Sequence, residues 1–295
     1  METLYQGLPD FLDQNHIGVL MRTFDSKETN IPGSVQLVAE TSGRLRDFQI
    51  NGSPVFDRID VLVWKDQRHH DSDCGKTAEA LQQAIRDPGI NIQEMDGDLF
   101  CGLMNSGIGL QTGEGMDYTV SISPDANSYA TPETLTSMME AASRGALAVG
   151  VAIDELTQSI LEGRIANTFA MWHNLTLIGV GGFDLKAAKP SDDRLAHYIR
   201  GMDEAGNEIF YPFAGVEEVI PLARIFDRLK RPFIAPISPS GEGVRQYVLP
   251  SDPDHLKRHT VKMASKNDRQ LGMLISEGFN FSWLKGAVMP EYRRF

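Results

Sequence analysis

The residues best spaced for chemistry are Gly75-Lys76-Thr77, which follow an apolar run from Ile59 to Trp64 and open a segment of helical character. A strand, a loop and then a helix starting at Gly-Lys-Thr is the local order of a phosphate-binding loop. In such a loop backbone amides cradle phosphates, the lysine reaches the outer phosphates and the threonine holds Mg²⁺. The pattern is incomplete, because the opening glycine belongs five positions before Gly75 and His70 stands there. The preceding stretch, Arg68 to Cys74, is bulky and partly acidic where an anion would approach, and an ordinary helix start is the competing reading. The same stretch offers metal ligands in His69, His70 and Asp73, with Asp71 and Cys74 beside them. Adjacent histidines point in different directions, so help from elsewhere in the fold would be needed, and a polar exposed loop is the plainer alternative.

Other constellations fall short of a motif. His255 and His259 are four apart and share a helix face, but Leu256-Lys257-Arg258 between them carries no glutamate and two cations. No Gly-x-Ser-x-Gly elbow occurs; Ser238 to Gly243 and Asn105 to Gly109 read as glycine-rich turns. Glu94, Asp96 and Asp98 surround Gly97 as a turn would. Gly179 to Gly182 lacks the Gly-x-Gly-x-x-Gly order and reads as a bend where backbones approach closely.

Composition narrows the classes. With 295 residues, 41% of them hydrophobic, the chain can bury a large core. Its 28 basic against 40 acidic residues give a formal charge of −12, which argues against a phosphate-backbone binder unless basic residues cluster. The nearest cluster is Arg228, Lys230 and Arg231, with Lys257 and Arg258 further on; it would serve a nucleic-acid complex, or simply be solvated helix faces. Cys74 and Cys101 are too few for a disulfide framework, so a reducing compartment is expected. The start, Met1-Glu2-Thr3-Leu4-Tyr5, carries no signal-peptide pattern, and no apolar run reaches the ~20 residues of a membrane span.

The elements that would position these residues read as α+β: a mixed sheet with an extended N-terminal β-hairpin and a long spine helix over about 132–166. Residues 1–32 read as an arm, 33–130 as a β-rich region, and 131–295 as an α+β region closing in strands. Val35, Leu37 and Ala39 alternate with polar neighbours, Asn51-Gly52 is a two-residue hairpin signal, and Ile59 to Trp64 is a strand. A helix from Thr77 to Arg86 stops at Asp87-Pro88-Gly89. From Thr131, apolar residues at Leu135, Met138, Ala142, Ala146, Val149, Ile153, Leu156 and Ile160 fall on one helical stripe. Thr131 caps it and Pro132 suits its first turn, for a helix of roughly 30 residues. Asn174 to Val180 reads as a buried strand, Ser191 to Arg200 and Val216 to Lys230 as helices, and Pro232 to Pro250 as proline-rich loop with a strand from Val244. Helical pieces and an aromatic strand, Phe279 to Trp283, follow.

In order, the arm (Met1 to Pro32), hairpin (Ser34 to Trp64), spine (Pro132 to Phe169) and mixed helical segment (Ser191 to Lys230) with closing strands resemble tailed-phage major capsid proteins. The resemblance is one of element order. It implies a self-assembling structural subunit, partnered by copies of itself and other structural subunits, cytoplasmic or in a virion, without a cofactor. Val35, Leu37, Val61, Val63 and Trp64 would then lie at subunit contacts or in the hairpin base. Two readings compete: a nucleotide- or metal-dependent enzyme built on residues 65–77, and a scaffold subunit of a nucleic-acid complex.

Overall fold

The computed structural model describes residues 7–25, 31–65, 76–95, 101–151, 165–187, 198–202, 208–212, 217–229, 233–242 and 277–279, with Val244, Pro253 and Met273. Its centre is a seven-stranded sheet. In chain order its strands are β1 (Ile17–Asp25), β4 (Arg58–Lys65), β5 (Ile90–Met95), β6 (Tyr118–Ile122), β7 (Ala148–Val151), β8 (Ala166–His173) and β11 (Ile234–Ile237). Across the sheet they stand β11-β7-β8-β6-β1-β4-β5. β8 pairs antiparallel with both neighbours, and the other pairings are parallel. Two small ribbons stand apart, β2 (Gln49–Ile50) with β3 (Ser53–Pro54), and β9 (Tyr198–Met202) with β10 (Glu208–Pro212).

Helices cover both faces, and strand alternation sorts the core between them. On β1 and β4, Val19, Met21, Val61 and Val63 face one cluster with α1 (Leu8–Gln14), α2 (Ile31–Arg46), α3 (Lys76–Ala84) and α5 (Pro132–Ser143). Leu20 and Leu62 face the other, with α4 (Cys101–Gly113), α6 (Asn174–Gly179) and α7 (Val219–Arg228). Strands covered on both faces need no polar alternation. That is why residues 17–25, expected in an arm, form an interior strand.

The helices differ most from expectation. Val35, Val38 and Leu45 are buried at helical spacing along α2, which replaces the long first arm of the hairpin. Only the two-residue turn survives: Asn51 and Gly52 both take positive φ, 54° and 81°, between β2 and β3. The spine stops after 12 residues. Thr131 does cap it, accepting from the Thr134 amide, but Gly145 takes φ +89°, and its amide and that of Ala146 close on Ala142 and Ala141. Ala146 and Val149, read as the same stripe, belong to the turn and to β7, because a short buried run fits either period. Asn174 to Gly179 is helix rather than strand, Tyr198 to Arg200 is strand rather than helix, and β11 lies within the stretch read as loop. Pro236 is tolerated there because β11 is an edge. The segments expected around 254–264, 268–277 and 280–283 lie largely outside the described residues. Among the described residues no helix is long and apolar enough to cross a membrane.

α4 was hidden by its glycines. A Cβ on Gly107 would lie 2.5 Å from Leu20 and 3.0 Å from Leu62, so the glycine lets the helix sit directly on β1 and β4. At the helix end Gln111 is fully buried over Gly18, where a Cβ would collide with its amide. Gln111 donates to the Val19 carbonyl (2.7 Å) and to Asp60 Oδ2 (3.0 Å), and accepts from Thr119 Oγ1 (2.7 Å). Arg58 Nε and Asn91 Nδ2, both at 2.8 Å, complete the shell of the buried Asp60 carboxylate. Hydrogen bonding to Asp60 raises the pKa of Arg58 above its ordinary value, partly opposed by burial.

Two glycines of α4, one on each side of Ile108, give a paired test. Gly107→Ala should cost about 1–3 kcal/mol by overpacking, whereas Gly109→Ala, which meets nothing within 4 Å, should stabilise by roughly 0.5–1 kcal/mol. Gln111→Ala, leaving Asp60 short of a donor, should cost about 1–3 kcal/mol. Urea unfolding of the three variants against the parent chain reads all of these.

Candidate functional site

Open α/β sheets bind ligands outside the carboxyl ends of their strands, where the strand order reverses. After β1 the chain moves outward through β4 and β5, then returns to place β6 on the other side of β1. The switch point therefore lies between the ends of β1 and β6. Three segments outside the described residues, 26–30, 66–75 and 96–100, join the carboxyl ends of β1, β4 and β5 to α2, α3 and α4.

This topology locates the sequence candidates. Lys76 and Thr77 begin α3, with Lys76 exposed and Thr77 buried. Gly75, His69, His70 and Asp73 lie outside the described residues, on the segment whose two ends, Lys65 and Lys76, are at this edge. Of the assembly candidates, Val35, Val61 and Val63 are buried in the main cluster, while Leu37 and Trp64 are partly buried, Trp64 packing on the second cluster. Of the basic candidates, Arg228 donates to the Gly179 carbonyl, and Lys230, Arg231, Lys257 and Arg258 lie outside the described residues.

Sequence reading passed over the end of β6. Ser123 follows Ile122, and its amide donates to the Thr168 carbonyl of β8 at 2.8 Å. Pro124–Tyr129 then forms a 3₁₀ turn that carries Asp125 beside the switch point. Arg44 of α2 holds this turn through the carbonyl (2.9 Å) and side-chain oxygen of Asn127. The available signal was a Ser-Pro-Asp directly after a strand, indistinguishable in sequence from any surface turn.

A strap, residues 174–187, is wedged between α4 and α7. The close approach expected at Gly179 to Gly182 is present: a Cβ on Gly182 would press on Asn105 Oδ1, at 2.5 Å. Asn105 accepts from the Phe183 amide (2.8 Å) and donates to the Phe183 carbonyl (2.7 Å). From α7, Arg224 donates to Asp184 Oδ2 (3.1 Å) and to the Val180 carbonyl (3.4 Å). At the strap's start His173 packs edge-on against Tyr118, centroids 5.0 Å apart. Burial lowers the His173 pKa, with Asp117 pulling the other way, and burial raises that of Tyr118.

Comparison with solved structures decides the fold. A glucosyl-3-phosphoglycerate synthase from Mycobacterium tuberculosis, solved with Mn²⁺, UDP and phosphoglyceric acid, superposes with a TM-score of 0.51 at 13% identity, over 93% of this chain and 83% of that one. The fold is like that of this synthase. A structure of the same synthase with Mn²⁺, UDP-glucose and glycerol 3-phosphate gives 0.51 at 12% identity, covering 93% and 84%. A further mycobacterial protein gives 0.51 at 12%, covering 92% and 78%. No protein-family model matches the chain, and no curated protein matches its sequence. The capsid resemblance is thereby corrected, together with the structural, self-assembling role it implied.

Asn105→Ala removes both clamps on Phe183 and leaves two main-chain groups to find water. It should destabilise the chain by about 1–3 kcal/mol, with Arg224→Ala costing less because its guanidinium is partly exposed. Denaturant midpoints of the two variants check the order.

Proposed function

We propose that this chain is a nucleotide-sugar-dependent glycosyltransferase of the GT-A type, moving a sugar from a nucleoside diphosphate to an acceptor hydroxyl. The observation that carries the reading is the sheet order, with its switch point between β1 and β6, in a fold likeness spanning 93% of the chain. The nucleotide would lie across the carboxyl ends of β1, β4 and β6. A diphosphate there meets the start of α3, so Gly75, Lys76 and Thr77 are the residues proposed to receive it, Lys76 by charge and the others by their backbone amides. Transfer breaks the bond from the sugar's anomeric carbon to the diphosphate and forms one to the acceptor oxygen. The acceptor's proton leaves to a base or to water, and the nucleoside diphosphate departs.

Among the described residues no group of three or more His, Cys, Asp or Glu is placed to hold a metal ion. His69, His70 and Asp73 remain the proposed ligands on the 66–75 segment, and no step of the reaction is assigned to a metal. Self-association remains a proposal independent of the enzymatic one.

Calorimetric titration with UDP and UDP-glucose tests the reading. Binding in the range of about 1 μM to 1 mM is expected, weakened about tenfold or more in Lys76→Ala with an unchanged unfolding midpoint. Absence of binding by the folded parent chain up to ~1 mM would overturn it for uridine nucleotides, and the same titration with ADP and GDP closes the remaining nucleoside classes.

A further inference from the structure

The strap 174–187 begins at an uncommon cap. His173, at the end of β8, is the N-cap of α6, with φ −74° and ψ 112°. Its Nδ1 accepts from the Thr176 amide at 3.3 Å and lies 2.7 Å from Thr176 Oγ1. Serine, threonine, aspartate and asparagine normally do this work and keep their acceptor at neutral pH. An imidazole does so only while Nδ1 is unprotonated, with its proton on Nε2. α6 has six residues, far below the length at which a helix holds itself in water, so its first turn depends on this acceptor and on packing.

We propose that His173 is a pH-responsive cap: proton uptake at Nδ1 withdraws the acceptor that starts α6 and loosens the strap from α4 and α7. The step takes one proton from solvent and turns Nδ1 from acceptor to donor. The Thr176 amide and the new Nδ1–H then face each other, which neither can satisfy. Thr176 Oγ1 can turn to accept from Nδ1–H, but the amide is left to solvent.

The titratable groups facing the ring come from the start of β6. Asp117 favours the protonated ring, yet its carboxylate already receives the His16 amide at 2.9 Å. Tyr118 stacks edge-on and stays a neutral phenol at physiological pH. His16 and Asp57 form an exposed pair beyond, at 3.4 Å. On the far side Leu147 offers only a carbonyl, which accepts from the His173 amide at 2.9 Å. Burial of the ring outweighs Asp117, so its pKa in the folded chain lies below the ordinary histidine value. A depressed pKa means that stability is whole above the unfolded value of about 6.5 and is lost as pH falls through the folded one.

The consequence reaches along the strap. Its far end carries Phe183 and Asp184, held by Asn105 and Arg224, and leads on toward β9. The inference does not depend on the transferase reading.

The test is an NMR titration of the full ¹⁵N-labelled chain from pH 8 to 5, following the His173 imidazole and the Thr176 and Val180 amides. Hydrogen exchange at those amides is measured in parallel and corrected for intrinsic rate. In the parent chain protection should fall about fivefold, with a midpoint that coincides with His173 protonation and lies below 6.5. His173→Asn keeps an acceptor at the cap without a titrating ring and should flatten the profile. The proposal is overturned if His173 protonates while Thr176 and Val180 keep their protection. It is equally overturned if His173→Asn retains the fall. Should that variant not fold, the parent titration alone decides.

Discussion

The Gln111 amide bridges three adjacent strands, and the geometry of the switch point depends on it. One side chain takes the Thr119 hydroxyl on β6, the Val19 carbonyl on β1 and the Asp60 carboxylate on β4. Buried polar groups hold a fold when every member is satisfied and weaken it when one is not. Here Asp60 is fully buried, and its oxygens are met by Arg58, Asn91 and Gln111. The absence of a side chain at Gly18 leaves room for the amide to lie flat on β1. Slipping any of the three strands by one residue would turn Thr119, Gly18 or Asp60 to the other face and leave a charge buried without partners. The network thus sets the register of β6, β1 and β4, whose opposite ends flank the switch point.

The same face carries an element that cannot stand alone. α6 is anchored at its start by His173, at its end by Arg228 on Gly179 and Arg224 on Val180, and beyond it by Asn105 on Phe183. Its apolar side, with Leu177, Val180 and Phe183, closes over Trp172 and α4. Leu175 and Ile178 remain exposed on its outer side. A helix held by contacts at both ends, rather than by its own length, responds to a change in any one of them.

The capsid outline failed through one ambiguity repeated three times. In α2, in the turn after α5 and in α6, short apolar segments fit both the period of a helix and that of a strand buried on both faces. Val35, Leu37 and Ala39 do alternate, but Val35, Val38 and Leu45 are the residues that the sheet covers. The supposed spine is a helix, a glycine turn and two strands, and Gly145 at positive φ is the residue that breaks it. Once β1 lies inside the sheet and β8 alone runs against its neighbours, the element order no longer suits a hairpin and spine, and it suits a sheet covered on both faces.

By itself the sequence determined the local signals whose physics is local: the Thr131 cap, the Asn51-Gly52 turn, the stop at Asp87-Pro88-Gly89, the strand Ile59 to Trp64, and the close approach at Gly182. It also placed the start of a helix after the strand Ile59 to Trp64, where α3 begins at Lys76. Only the tertiary structure decided which strands are neighbours and where the strand order reverses. It also placed the 3₁₀ turn with Asp125 directly after β6, beside that switch point, and made a helix of the glycine-rich 101–113 segment. The reason is that strand order and helix packing arise from contacts between residues far apart in the chain. Gln111 meets Val19 and Asp60 across 92 and 51 positions, and no window of sequence holds both partners.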